Sequence, residues 1–460
     1  MVTLKSFLGM IAAVPFIMAC NQTGQVNATL FPASGSENVN PDTHLVLTFS
    51  ETPVLGDSGM IRVYDAVTDQ VVDSLDLSIP SGPTESRTYG PECDYTKVPY
   101  DYTRTVMPTN KDTRPGTPSG TAEPTPPVYQ LTIIGGFTDA FHFYPVIVRD
   151  SIATIYLHNN MLEYGHTYYV TIDNGVLNLA DGSFQGVTKE DEWIFTTKSD
   201  MPELSDTLIV DVAGKGDFNT VQGALDFIPD FNEQQTVILV NPGDYEELVY
   251  TRNKWNVKIK GAGMTDTKVH YANNEVFNPH PLTVKTNEWP GTFPSRRAAF
   301  MLDNCKDIVI EDMTIATDLK GQAEGLLING ERIALYRVHI IGSGDALQAN
   351  GTIYMESCEL DGGGDTILGR GSLFAYKSNF RNGGGPFSWV RNTAGNHGNV
   401  FVECTFSTED GKQADYGRTK SNHGSAYPDA EFVLIDCKVK NIIPEGWSSI
   451  GAKTAKMYEL

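Results

Sequence analysis

Between residues 308 and 439 the chain repeats one pattern of apolar and polar positions. The segments IVIEDMTI (308–315), IALYRVHI (333–340), IYMESCEL (353–360), LFAYKSNF (373–380), NVFVECTF (399–406) and FVLIDCKV (432–439) align without gaps. Their sixth column reads Met313, Val338, Cys358, Ser378, Cys404, Cys437, and their eighth Ile315, Ile340, Leu360, Phe380, Phe406, Val439. The starts lie 25, 20, 20, 26 and 33 residues apart. Self-similar strands of this length, separated by Gly, Asn and Asp corners, predict the stacked coils of a parallel β-helix. The columns stay apolar because each coil buries its inward side chains on the next. The variable spacing puts insertions into the corner loops, where sites are built. Upstream, DTLIVDVAGKGDFNTVQGALDFIP (206–229) predicts a short strand, a glycine turn and one amphipathic helix over about Thr220 to Phe227, stopped by Pro229. That helix is placed to cap the open N-terminal end of the solenoid.

A different pattern fills residues 29–198. LVLTFSE (45–51), MIRVYDA (60–66), ATIYLH (153–158), YYVTID (168–173) and EWIFTTK (192–198) are short alternating runs rich in β-branched and aromatic residues, with turn stretches such as NLADGS between them. They predict a β-sandwich. The opening FPASGSENVNPDTHLVLTFSE and the closing DEWIFTTK resemble bacterial Ig-like domains. Residues 80–128, rich in Pro, Thr, Gly and Tyr, are expected to form a long exposed insertion. The predicted organisation is therefore all-β: residues 1–20 a signal segment, 21–28 a polar tether, 29–198 the sandwich and 204–460 the β-helix.

Composition narrows the function. At 460 residues the chain exceeds one ordinary domain, and its 40% hydrophobic content supplies real cores. A net charge of −23 argues against nucleic acid as a partner. The start, MVTLKSFLGMIAAVPFIMAC, has one Lys, an apolar run too short to span a bilayer as a mature helix, and then Ile17-Met18-Ala19-Cys20. That ending resembles the bacterial lipobox, in which a thiol at the new N-terminus takes the lipid. It predicts an extracytoplasmic protein anchored at Cys20 to a bacterial outer membrane, on either face. Of the remaining cysteines, Cys93 is alone in the N-terminal half, Cys305 precedes a strand, and Cys358, Cys404 and Cys437 share a column as small buried hydrophobes. No CxxC or Cys/His spacing suggests zinc, and no metal or cofactor is expected.

Asp345 and Asp365 carry the candidate chemistry. Each lies five residues after the last apolar position of its segment, Ile340 and Leu360, in segments that repeat at 20 residues. Equivalent positions of stacked coils stand roughly 4.8 Å apart. Neighbouring carboxylates push their pKa values apart, which suits one to be a nucleophile and the other an acid. Asp is also a natural corner residue, and the alignment alone favours turn formation over catalysis.

An ordered set of further motifs resembles the pectin methylesterase family, carbohydrate esterases on a right-handed parallel β-helix. It comprises DVAGKGDFNTVQGAL (211–225), NPGDYEE (241–247), GQAEGL (321–326), GSGDAL (342–347), GGGDTILG (362–369), YGRT (416–419) and IPEGW (443–447), covering about residues 205–460. The resemblance implies hydrolysis of methyl esters of galacturonan (pectin), with Asp365 as nucleophile, Asp345 as general acid and base, Gln322 as an oxyanion donor and Arg418 holding Asp365 ionised. Two departures stand out. The family's second Gln is Gly344 here, with Gln348 as a candidate substitute. The Pro-Trp after the Arg is Thr419-Lys420, which leaves Trp389 or Trp447 as the candidate sugar-stacking ring and adds the Lys420 cation. His397 and His423 have no partner spacing and are expected to be structural or solvated. Two alternatives remain open at this point: a β-helix polysaccharide lyase using Asp361 and Asp365 for Ca²⁺, and a pectin-binding protein without turnover. The protein is expected to act as a monomer.

Overall fold

The computed structural model describes residues 26–84, 129–137, 141–204, 207–278, 296–392, 394–419, 427–447 and 455–460. Cys20, Cys93, Lys420, His423 and most of the 80–128 insertion lie outside these residues.

The six aligned segments stack in parallel, coil on coil. Ile315 faces Ile340, Ile340 faces Leu360, Leu360 faces Phe380, Phe380 faces Phe406 and Phe406 faces Val439. The eighth column is thus one continuous ladder, buried from Ile315 to Phe406 and exposed at the last rung, Val439. The sixth column is buried beside it from Met313 to Cys404. The segments are not single flat strands, however. Their fifth residues, Asp312, Arg337, Ser357, Lys377, Glu403 and Asp436, all have left-handed backbone with φ between 48° and 59°. A left-handed residue turns the chain through a corner, so columns one and three point inward before it and columns six and eight after it. Each segment therefore supplies two of the three faces of the coil. The polar residue at the bend stays outside, where Arg337 Nε donates to Asp312 Oδ1 at 2.6 Å.

The third face is a seven-stranded parallel sheet running from Val249–Arg252 through Phe300–Lys306, Leu326–Glu331, Leu347–Ala349, Ile367–Gly369 and Ser388–Val390 to Gly417–Arg418. The space between the three faces is one apolar core. Its aromatic rungs are tightly stacked: the Phe380 and Phe406 rings lie 4.9 Å apart and nearly parallel. A Phe380→Ala variant is expected to lose about 3–5 kcal/mol of stability, measured by denaturant unfolding, because coils on both sides hold the cavity open. A loss under about 1 kcal/mol would mean the coils collapse to fill it.

The predicted helix spans Val221–Phe227, and the Thr220 side chain caps it by accepting from Gly223 N at 2.9 Å. Every helical residue is buried, because the helix closes the first coils on one side and meets the N-terminal half of the chain on the other. That half is built from a four-stranded and a five-stranded sheet. Leu45, Leu47 and Ile155 of one and Ile61, Val63, Val170 and Phe195 of the other share a core. Asp42 reaches from this sandwich to accept from Asn219 N (2.9 Å) and Thr220 N (2.8 Å), just ahead of the helix. A short hairpin, Leu131–Thr132 with Phe141–His142, extends the contact. Its Phe141 ring lies 4.6 Å from Tyr250 on the third face, and Arg296 sits over that Phe141 ring at 4.3 Å. The sandwich is thus packed directly behind the residues that lead into the site.

Candidate active site

On the third face Leu326 pairs with Leu347, Leu347 with Ile367, Ile367 with Ser388, and Ser388 with Gly417. Two residues ahead of the first three stand Glu324, Asp345 and Asp365. Three consecutive coils therefore put a carboxylate at one register position, in the last bend before the strand. All three are nearly withdrawn from water, at 0%, 7% and 7% exposure. The bends pack backbone on backbone: a Cβ at Gly344 would lie 2.7 Å from Gly321 O, and one at Gly364 would lie 2.9 Å from Gly344 O. Glutamine in place of Gly344 would need the coils to separate, so the family's second Gln has no room here.

An arginine stands at each end of this ladder. Arg418 donates from Nε to Asp365 Oδ1 at 2.9 Å and from Nη2 to Asp365 Oδ2, a two-pronged clamp. Its guanidinium lies 4.1 Å from the Trp389 ring centre, and Arg391 lies 4.5 Å from the same ring. At the other end Arg297 clamps Glu324, with Nε at 2.8 and 2.9 Å and Nη2 at 2.6 Å from its oxygens. Arg297 then reaches Asp345 Oδ2 with one contact at 2.9 Å and donates from Nη1 to Gln322 Oε1. Glu275 lies 3.7 Å from the same Nη1.

Asp345 is the middle carboxyl, and it is treated differently from its neighbours. Burial pushes it up to about 7. Arg297 pulls it down, while Glu324 and Asp365 push it up from both sides. Near neutrality such a group can hand over a proton and take it back. Asp365, one coil away, keeps a guanidinium on both oxygens. A proton donor beside an ionised carboxylate is the pair needed to attack an ester and protonate its leaving group.

Gln322 is exposed at the mouth of this group. A guanidinium only donates, so Arg297 fixes the Gln322 carbonyl toward itself and turns the amide NH₂ away. Gln348 lies in an outward column with Leu368, Trp389 and Arg418; it is buried, and its Oε1 has no hydrogen-bond partner among the described residues. Trp447 is a packing residue, its ring 4.9 Å from Tyr416 and 5.1 Å from Phe432, because the last coils need an apolar cover. His397 is solvated and bonds Glu431 at 2.8 Å. Asp361 is tied to His339 at 2.7 Å and Arg381 at 3.5 Å, away from the ladder, which leaves it badly placed for a shared Ca²⁺ site with Asp365. Glu246, His270 and Asp318 bring possible ligand atoms within 4.8 Å of one another, but Arg149 of the sandwich already supplies the cation there, 2.5 Å from Glu246.

Sequence reasoning missed Arg297 and Glu324. The signal for Glu324 was present: Glu-Gly-Leu-Leu, Asp-Ala-Leu-Gln and Asp-Thr-Ile-Leu recur at 324, 345 and 365 with the acid in the same place. Nothing in the local pattern marks Arg297.

The sequence model of the Pectinesterase family matches residues 207–456, more than half of the chain. The chain belongs to the pectinesterase family. Among curated relatives, Pectinesterase QRT1 of Arabidopsis thaliana is 26% identical over 284 residues, covering 57% of this chain and 70% of that protein. Probable pectinesterase 67 of the same plant is 27% identical over 182 residues, covering 38% of this chain and 50% of that protein. Two solved structures are similar at lower identity. Pectin methylesterase from Aspergillus niger is 19% identical with a TM-score of 0.45, covering 56% of this chain and 85% of that one. Pectin methylesterase from carrot is 17% identical with a TM-score of 0.43, covering 57% and 90%. The pectinesterase match begins at the first strand after the sandwich and takes in all three carboxylates and both arginines.

Proposed function

We infer that this pectinesterase hydrolyses methyl esters of galacturonan and releases methanol, with Asp365 as nucleophile and Asp345 as general acid and base. The observation that carries this assignment is the unequal holding of two adjacent carboxyls: Asp365 by two arginine contacts, Asp345 by one. The Asp365 carboxylate attacks the ester carbonyl carbon. Charge builds on the carbonyl oxygen, and the Gln322 NH₂, turned outward by Arg297, is the donor offered to it. Asp345 passes its proton to the departing methoxide, leaving an anhydride on Asp365. Ionised Asp345 then takes a proton from water, whose oxygen adds to the substrate carbonyl and frees Asp365. The sugar chain is assigned to the outward column of Gln348 and Trp389, with Lys420, which follows Thr419 in the sequence, as a further cation.

Methanol release from highly methylated pectin, in EDTA, tests the reaction. Steady release without ultraviolet-absorbing unsaturated products is expected. Unsaturated products would replace the esterase by a lyase, and binding without release would leave a binding protein.

The reading extends to where the enzyme works. Ile17-Met18-Ala19-Cys20 supports a lipid anchor at Cys20 on an extracytoplasmic membrane face, with the sandwich, an Ig-like module, holding out a monomeric catalytic solenoid.

A further inference from the structure

We propose that Arg297 and Glu324 are a positioning pair that makes Asp345, rather than Asp365, the proton donor and aims the Gln322 amide. The inference rests on the esterase reading and adds to it two residues that act through Asp345 and Gln322.

Three carboxylates occupy one ladder, and two arginines serve them. Arg418 clamps both oxygens of Asp365. Arg297 has a choice between Glu324 and Asp345, and it gives Nε and one edge to Glu324 while Asp345 receives a single bond. Glu324 is fully buried, and Arg297 is its ion-pair partner among the described residues. If Glu324 were neutral, the guanidinium would be released to clamp Asp345 as Arg418 clamps Asp365. Asp345 would then be gripped on both oxygens as Asp365 is, and the acid would be lost. Glu324 thus diverts the cation. The remaining guanidinium nitrogen does a second job at Gln322, fixing which end of a rotatable amide faces outward.

The charged groups around Asp345 come from every side. Arg297 approaches from ahead of strand Phe300–Lys306, Glu324 from the coil before and Asp365 from the coil after, and Arg391 follows strand Ser388–Val390. Glu275 acts through Arg297. Of these, Glu324 is the group whose removal both takes away a repelling charge and redirects Arg297. Both effects favour ionised Asp345.

The test is the pH profile of kcat/KM for methanol release by the full-length enzyme and two variants. Glu324→Gln keeps size and shape. It is expected to move the alkaline limb down by about 1–2 pH units, since a paired cation lowers a carboxyl by about that much. Arg297→Lys keeps the charge but cannot bridge three acceptors. It is expected to keep the limb within about one unit while kcat falls on the order of 10²-fold, as for loss of an oxyanion donor. The split matters, because a merely structural pair would lower both profiles without moving either limb. Profiles that keep the wild-type limb in Glu324→Gln, or the wild-type kcat in Arg297→Lys, overturn the proposal. If wild type releases no methanol, the esterase reading fails, and ¹³C carboxyl titration of Asp345 still decides the pair. A downward shift in Glu324→Gln supports it, and an unchanged titration overturns it.

Discussion

Asp365→Asn is expected to abolish methanol release from methylated pectin, with a loss of about 10⁴-fold or more, the scale seen when a catalytic nucleophile is removed. Asparagine preserves the shape of the side chain and keeps one oxygen for Arg418. It cannot form the anhydride. The variant is expected to fold, because Asp365 sits in a bend whose coil is held by the Leu347 to Ile367 to Ser388 register rather than by the carboxylate itself. Some stability will be lost, since Arg418, 17% exposed at its side chain, is left with a neutral partner. Binding of pectin should persist, which separates loss of chemistry from loss of fold. Steady-state assay and thermal melting together check this. A variant that keeps more than about a hundredth of wild-type turnover would remove Asp365 from the centre of the reaction, because water alone does not replace a covalent step at that level.

Asp345→Asn is the second large effect, and it has a different signature. General acid catalysis typically contributes about 10²–10⁴-fold, so turnover on the natural methyl ester should fall by that range. Methoxide is a poor leaving group and depends on the proton. A trifluoroethyl ester of the same uronate leaves far more easily, so the first step should recover much of its rate. The second step still lacks its base. A burst of about one equivalent of alcohol followed by slow turnover is therefore expected. Wild type should also lose activity as pH rises through about 7, where buried Asp345 gives up its proton. That limb should vanish in Asp345→Asn. If it remains, another group is the acid, and Glu275, also pushed up to about 7 by burial, is the next to test.

Much of this molecule is legible in one dimension because a solenoid converts spacing into neighbourhood. Residues one coil apart in sequence are one strand apart in space. Asp345 and Asp365 were therefore predictable as adjacent coil positions from a 20-residue repeat, and the eighth column from Ile315 to Val439 emerged intact as a ladder. The Thr220 cap and the stop before Pro229 are also local matters, and the helix formed where they place it.

What depends on direction in space was not legible. A left-handed bend at Asp312, Arg337 or Lys377 leaves no compositional trace, since these are ordinary polar residues held at a corner by the coils above and below. Trp389 and Trp447 look alike as candidate sugar platforms. The fold sets them in different surroundings, Trp389 beside Arg418 in the outward column and Trp447 against Tyr416 and Phe432 at the end of the core. Arg297 reaches Glu324 and Asp345 from 27 and 48 residues away in the chain, and the hairpin of the sandwich packs on Arg296, the residue before it. The sequence by itself determined which carboxylates stack. Only the tertiary structure decided which arginine each one meets, because that depends on where long side chains point and on a separate module pressing from behind.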